Sequence, residues 1–313
     1  MRARFWGVRG SIPTPLTNDQ LKSRIAAVVQ RIRCSDLDSP DTREAFLAKL
    51  PAYLFGTVGG NTTCLEILPT DGAVIIVDGG SGIRELGINL LRTGRKEKII
   101  HLLMTHYHWD HLQGIPFFGP ALQKGYKIIF YSPVIKVEEH IRGQMKSPYF
   151  PVEMSLLPCD FEFRVLKDTP LQIGATRIDW KRMKHPQGSY SYRFQNEGKV
   201  AVFATDSEIT EKEFERSEEN KAYFEEADLL IQDSQYTLEE SINKIDWGHT
   251  SYSMAVDLAA QWKIKKLALF HHEPMYQDKK ILGILHSAQW YVRHVENQNL
   301  EVILAMEGQE LEV

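Results

Sequence analysis

The chain has 313 residues, 43% hydrophobic and 25% charged, enough to build and cover a sizeable core, which excludes a disordered polymer. A formal net charge of −4 argues against a broad electrostatic footprint for a nucleic-acid backbone or an anionic membrane. The N-terminus "MRARFWGVRGSIPTP" lacks a signal-like apolar stretch and no window reaches the length of a membrane span, so a cytoplasmic protein without a membrane partner is expected. Cys34, Cys64 and Cys159 are far apart with no C-x-x-C spacing and read as buried free thiols in a reducing compartment.

In chain order, β-type runs recur at "RARFW" (2–6), "CLEIL" (64–68), "AVIIVD" (73–78), "KIIHLLM" (98–104), "KIIFY" (127–131), "FEFRVL" (161–166), "TRIDWK" (176–181), "VAVFA" (200–204), "LLIQD" (229–233), "KLALF" (266–270) and "EVILA" (301–305). These are too many strands for one bare sheet. Helical periodicity separates several of them, as at Met254, Ala255, Leu258, Ala259 and Trp262 after a cap at Thr250. Two packed sheets with outer helices satisfy both patterns, so an α/β four-layer αββα sandwich is expected, as one domain over residues 1–313. Residues 17–51 depart from the pattern. Leu21, Ile25, Val28, Val29 and Ile32 share one helical face, and a second helix starts at Ser39 with Pro40 in its first turn. This reads as a helical insertion between the first two strands, either a packing or homodimer-forming appendage or a lid.

The chemistry concentrates in "THYHWDH", residues 105–111. His106 and His108 follow a strand and point the same way if the chain stays extended, so two imidazoles meet one metal. Asp110 and His111 fall where a short helix begins, which aims them at an adjacent position. A pair of metals needs a bridging carboxylate and further ligands from distant segments. Loops after strands offer them at His185 of "KHPQG", Asp206 of "FATDSE" and His271 of "LFHHEP". Any one of these alone reads as a hydrogen-bonded structural residue; four motifs in this order do not.

Those residues resemble the metallo-β-lactamase superfamily, whose H-x-H-x-D-H signature reads "HYHWDH" here. The resemblance implies that His106, His108 and His185 hold one metal, Asp110, His111 and His271 a second, and Asp206 bridges them. It also implies that Asp78 of "AVIIVDGGSG" supports the site without ligating, and that "GGNTTCLEI" at 59–67 opens the core fold. The metal-fold assignment excludes the 17–51 insertion. His271 is preferred to His272 because it directly follows the apolar run. Ligands without cysteine accept zinc first, with manganese or iron as alternatives.

Residues 227–274 are similar to the ribonuclease-Z-like branch, in which an acidic residue after a strand is coupled to a histidine of an H-[ST]-[ST] turn. By that resemblance Asp233 is the partner of His249 in "GHTS", and Asp110, His249 and Asp233 are the catalytic residues. The branch usually carries glutamate where this chain has Asp233, so a looser or water-mediated coupling is expected. Arg142, Gln144, Lys146 and Tyr149, with Tyr190 near His185, are the expected substrate-binding residues, combining cations with flat rings. The segment between "KIIFY" and His185 shows no glycine-rich basic arm, so transfer RNA is not expected as a partner. The expectation is therefore a dinuclear metal-dependent phosphodiesterase, with a metal-bridged hydroxide as nucleophile, for a small nucleotide or cyclic nucleotide. The alternatives are a carboxyl-ester, lactone or thioester hydrolase with the same metals, and a weakly catalytic nucleotide-binding regulator.

Overall fold

The computed structural model describes residues 1–295 and 299–313. Six strands lie side by side in chain order: β1 (Arg2–Gly7), β2 (Cys64–Leu68), β3 (Val74–Val77), β4 (Ile99–Leu103), β5 (Lys127–Ser132) and β6 (Asp160–Val165). A second sheet follows the same rule with β7 (Leu171–Ile173), β8 (Thr176–Met183), β9 (Ser189–Asn196), β10 (Lys199–Ala204), β11 (Leu229–Asp233), β12 (Lys266–Phe270) and β13 (Glu301–Leu304). β14 (Glu310–Glu312) returns to the first sheet and pairs antiparallel with β1.

Parallel pairing runs from β3 to β6 and from β10 to β13. Parallel neighbours need a crossover, and helices supply it. Ile83–Thr93 joins β3 to β4, Val137–Gln144 lies between β5 and β6, Tyr252–Gln261 joins β11 to β12, and Asp278–Tyr291 joins β12 to β13. Side chains of β3 alternate as the pleat requires. Ile75 and Val77 join the large core shared with Phe203, Ile231 and Phe270, whereas Val74 and Ile76 pack on Ile83, Leu86 and Leu90 of the outer helix. The rings of Phe5 and Phe270 meet across the sheets at 5.9 Å. This is the four-layer αββα sandwich that the interleaved pattern implied.

The helices of the insertion, Asn18–Val29, Pro40–Ala48 and Ala52–Phe55, do lie between β1 and β2, with Thr17 and Ser39 as N-caps. The apolar face read from the sequence is not packed on the chain, because Leu21, Ile25 and Val29 are exposed. What ties the insertion down is polar: Arg24 donates to the Gly56 carbonyl at 2.6 Å and to Asp278 at 2.7 Å. Cys64 and Cys159 are buried free thiols, but Cys34, in the insertion, is exposed. Among the described residues no helix is long and apolar enough to cross a membrane.

Candidate active site

The two parallel halves place their carboxyl ends at one edge of the sandwich, the usual position for a site in such sheets. Asp78 follows β3, the 105–111 segment follows β4, His185 follows β8, Asp206 follows β10, Asp233 ends β11 and His271 follows β12. Three of these residues turn the chain in the left-handed region: Asp78 at φ 61°, Asp206 at 48° and His271 at 61°. Non-glycine residues rarely adopt it, and such strain gathers at functional sites because the surrounding contacts hold it in place.

The side chains converge as two groups. Ligand-type atoms of His106, His108, His185 and Asp206 all lie within 4.8 Å of one another, and so do those of Asp110, His111, Asp206 and His271. Asp206 belongs to both. Its Oδ1 faces His111 Nε2 at 3.0 Å and His271 Nε2 at 3.1 Å, while Oδ2 faces His106 Nε2 at 3.7 Å and His185 Nε2 at 3.8 Å.

Each ring is held from behind. Asp78, which accepts the Thr105 amide at 2.8 Å and the Thr105 hydroxyl at 2.7 Å, contacts His111 Nδ1 at 2.8 Å. The Gly248 carbonyl fixes His185 Nδ1 at 2.9 Å and Gln235 Oε1 fixes His271 Nδ1 at 3.1 Å. Supports of this kind set tautomer and direction for metal-ligating histidines. His108 differs, turning Nδ1 inward to 3.1 Å from His185 Nε2.

The donor set fits divalent cations. His106 Nε2 and His111 Nε2 are buried and make no hydrogen bond, a cost unless something else satisfies them. Asp78, Asp110 and Asp206 are buried too, and among the described residues their ion pairs are with histidines, not with lysine or arginine. Burial pushes the His106 imidazole well below its ordinary value, reinforced by the neighbouring His111. Burial acts the same way on His111, but Asp206, Asp110 and Asp78 outweigh it and lift that ring well above the ordinary value. Buried carboxylates crowded by imidazoles, with no lysine or arginine paired to them among the described residues, are what a metal neutralises.

A third group adjoins these. His249 Nδ1 lies 2.7 Å from Asp233 Oδ2, a direct contact, so the looser or water-mediated coupling expected from the shorter aspartate is corrected. The missing methylene is made up by the backbone: Asp233 ends its strand and its Oδ1 also receives the amides of Gln235 and Thr250, both at 3.2 Å. Burial pushes the His249 imidazole down, but the Asp233 carboxylate overrides it and raises the ring to about 9. The His249 ring stacks on His271 at 5.0 Å and meets His185 edge-on at 5.2 Å.

His271, not His272, reaches the cluster. The His272 Nε2 faces the Ala305 carbonyl at 2.9 Å, and burial drives its imidazole down to about 3. Of the expected substrate residues, Gln144 and Tyr149 line a cavity beside Tyr107 and Trp109. Arg142 does not, because it pairs with Glu138 one helical turn away at 2.8 Å and lies over the Phe163 ring. Lys146 is exposed beyond the end of that helix. Tyr190 is half-buried on β9, where its amide donates to the Thr105 carbonyl and bridges the sheets, so it too is absent from that wall. The helix after His249 is capped by Ser251, not Thr250, whose hydroxyl instead binds the Ser207 carbonyl at 2.7 Å.

Two participants carry no local signal in the sequence. The Ser11 amide donates to Asp110 Oδ2 at 2.8 Å across 99 residues of chain, and Gln235 joins His271 to Glu273. Only the glycine of "VRGS" hints at the first: a side chain at Gly10 would meet the His271 ring at 2.5 Å.

Comparison with known proteins agrees with this geometry. The beta-lactamase superfamily domain family matches residues 74–272. Ribonuclease Z of Clostridium tetani is 26% identical over 280 residues, covering 72% of this chain and 89% of that protein. Among solved structures, the metallo-beta-lactamase fold protein YhfI of Bacillus subtilis superposes with TM-score 0.64 at 15% identity, over 100% of this chain and 98% of its own. The short form of human tRNase Z follows with TM-score 0.60 at 16% identity, over 100% and 99%.

These relatives overturn the expectation that transfer RNA is no partner. The physical reason is that net charge sums the whole surface, while a phosphate chain is met by a local patch. Here Arg182, Lys184 and Lys212, interspersed with Glu211 and Glu213, line a cavity of about 600 Å³ that includes His185, so cations gather locally in a chain that is acidic overall. With two packed sheets, a histidine and aspartate cluster at their carboxyl edge and a family match over residues 74–272, the chain belongs to the metallo-β-lactamase superfamily, in its ribonuclease-Z-like branch, and is a metal-dependent hydrolase.

Proposed function

We propose that this metal-dependent phosphodiesterase holds two divalent cations, zinc before manganese or iron, and cleaves the diester of a small nucleotide or cyclic nucleotide. His106, His108 and His185 would hold one cation, Asp110, His111 and His271 the other, with Asp206 shared between them. Cations bound there supply a water of lowered pKa and neutralise charge on the phosphate. The remaining steps belong to the chain. Asp233 fixes His249 through Nδ1, so that Nε2 carries the proton toward the substrate side, and Asp233 favours the charged ring. Diester cleavage expels an alkoxide, a poor leaving group, and His249 gives its proton to that departing oxygen.

The observation that carries this reading is the 2.7 Å contact of His249 with Asp233 directly beside the two ligand groups. A thioester hydrolase expels a thiolate, a better leaving group, and has less need of an imidazolium on that side. A second reading, in which the diester belongs to transfer RNA, is favoured by the ribonuclease Z relatives.

The two are separated by incubating metal-replete protein with 3′,5′-cyclic AMP and, separately, with a precursor transfer RNA, each with a chelator blank. Cyclic-nucleotide cleavage lost on chelation supports the small-nucleotide reading. Cleavage confined to the RNA transfers the activity to the second, and cleavage of neither removes both.

A further inference from the structure

A cavity of about 570 Å³ opens where the 106–111 segment leaves the cluster. His106, His108 and Asp110 face the cluster, while the residues between them, Tyr107 and Trp109, form the near wall of this cavity. The far wall comes from the end of the Val137–Gln144 helix and the loop after it, with Gln144, Tyr149 and Phe150. Anything held here is therefore adjacent to the reacting centre.

The lining is aromatic and poorly covered. Trp109 is 79% exposed, Tyr149 73% and Phe117 58%, a concentration of rings in water that marks a binding surface more than a packing accident. Phe117 meets Phe150 edge-on at 5.7 Å and Tyr107 meets His140 at 4.7 Å, which fixes part of the wall. Among the described residues the wall has no aspartate, glutamate, lysine or arginine, which suits an uncharged occupant rather than a phosphate or a carboxylate. Two polar atoms of the lining residues are left over: the Tyr107 hydroxyl and the Gln144 Nε2 are buried with no hydrogen-bond partner, and the Gln144 Nε2 is a donor waiting for an acceptor. Gly143 beside it has nothing within 4 Å of where a Cβ would stand, leaving room for a flat group.

We propose that this cavity is a nucleobase subsite: a purine or pyrimidine ring stacks on the Trp109, Phe117 and Tyr149 faces and accepts a hydrogen bond from Gln144, while its phosphate lies at the cluster. The inference rests on the phosphodiester reading above and names the part of the substrate that reading leaves open. A stacked ring with one directed donor accepts several bases and separates a nucleotide from a bare sugar phosphate.

The test is equilibrium dialysis of metal-replete protein with adenosine 5′-monophosphate and with ribose 5-phosphate, which share the phosphate and sugar and differ by the base. The nucleotide is expected to bind at least about tenfold more tightly, the scale of one stacked base. Gly143→Leu, which fills the cavity, and Trp109→Ala, which alters an exposed residue, should each collapse that ratio toward one. Gln144→Leu should reduce it severalfold. Equal affinity of the two ligands for the wild-type protein overturns the subsite and leaves the phosphodiester reading standing. A ratio that survives in all three variants places the base elsewhere and also overturns it. Binding of neither ligand removes the phosphodiester reading, and the subsite with it.

Discussion

Single residues decide the chemistry, and those legible in the sequence were the ones next to strand ends. His106, His108, Asp110, His111, His185, Asp206 and His271 all stand within a few positions of an apolar run, so motif and geometry coincide. Ser11 and Gln235 were not legible, because their roles exist only after distant segments meet. Gly248 shows the same limit. It sits at φ +87°, gives its carbonyl to His185, and a Cβ there would meet His185 Nδ1 at 2.2 Å. Gly248→Ala should therefore displace both His185 and the neighbouring His249. Because the left-handed conformation alone costs about 1–2 kcal/mol for a residue with a Cβ, both catalytic rate and metal content are expected to fall. Calorimetry and metal analysis of the variant check this, and an unchanged metal content would show that His185 tolerates the shift.

Elements were legible where hydrophobicity was strong. β2, β11 and β12 have the bounds read from "CLEIL", "LLIQD" and "KLALF". β9 is absent from the apolar runs of the sequence because "SYSYRFQN" places polar residues at buried positions, and Tyr190 reads there as a substrate residue. Its neighbour on the strand, Tyr192, is fully buried, with its hydroxyl donating to the Met104 carbonyl at 2.7 Å. The insertion helix shows the opposite limit: periodicity reports an apolar stripe, not a partner for it, and Leu21, Ile25 and Val29 of that stripe are exposed.

At the edge where β10, β11 and β12 begin, Asp228 receives the Val200 amide at 2.9 Å and the Lys265 ammonium at 2.8 Å. Burial pushes this carboxyl up, but those two contacts outweigh it and hold it below the ordinary carboxylate range. A depressed folded pKa stabilises above the unfolded value of about 3.9 and is lost as pH falls through the folded one. Asp228→Asn should thus lower stability at neutral pH and lose less on acidification. Solvent screening at this partly open edge keeps the effect to about 1 kcal/mol or less. Urea titrations of both proteins at pH 7 and at pH 3 give the comparison, and parallel losses would dissociate Asp228 from the pH response.

Across the whole molecule, the two sheets meet at a cluster whose buried aspartates pair with histidines and, among the described residues, with no lysine or arginine, so metal binding is expected to stabilise the fold. Metal at a hundredfold over its Kd adds about 2.7 kcal/mol of stability. The melting temperature is therefore expected to rise on metal addition and fall with chelator, and Asp206→Ala should greatly weaken that response. A chelator-insensitive melting curve in protein shown by analysis to have lost its metal would contradict the coupling. Net charge was the least informative feature at this scale, since it led away from nucleic acid whereas the chain is similar to ribonuclease Z.

The most direct measurement compares wild-type and His249→Ala on two diesters of different leaving group, bis(p-nitrophenyl) phosphate and 3′,5′-cyclic AMP. An activated aryl oxide departs without a proton, whereas an alkoxide needs one, and a positioned general acid contributes about 10²–10⁴-fold. The expected result is a loss of that order on the cyclic nucleotide and a much smaller one on the aryl diester. Equal losses on both substrates, or none on either, would contradict the assignment of His249 as the proton donor.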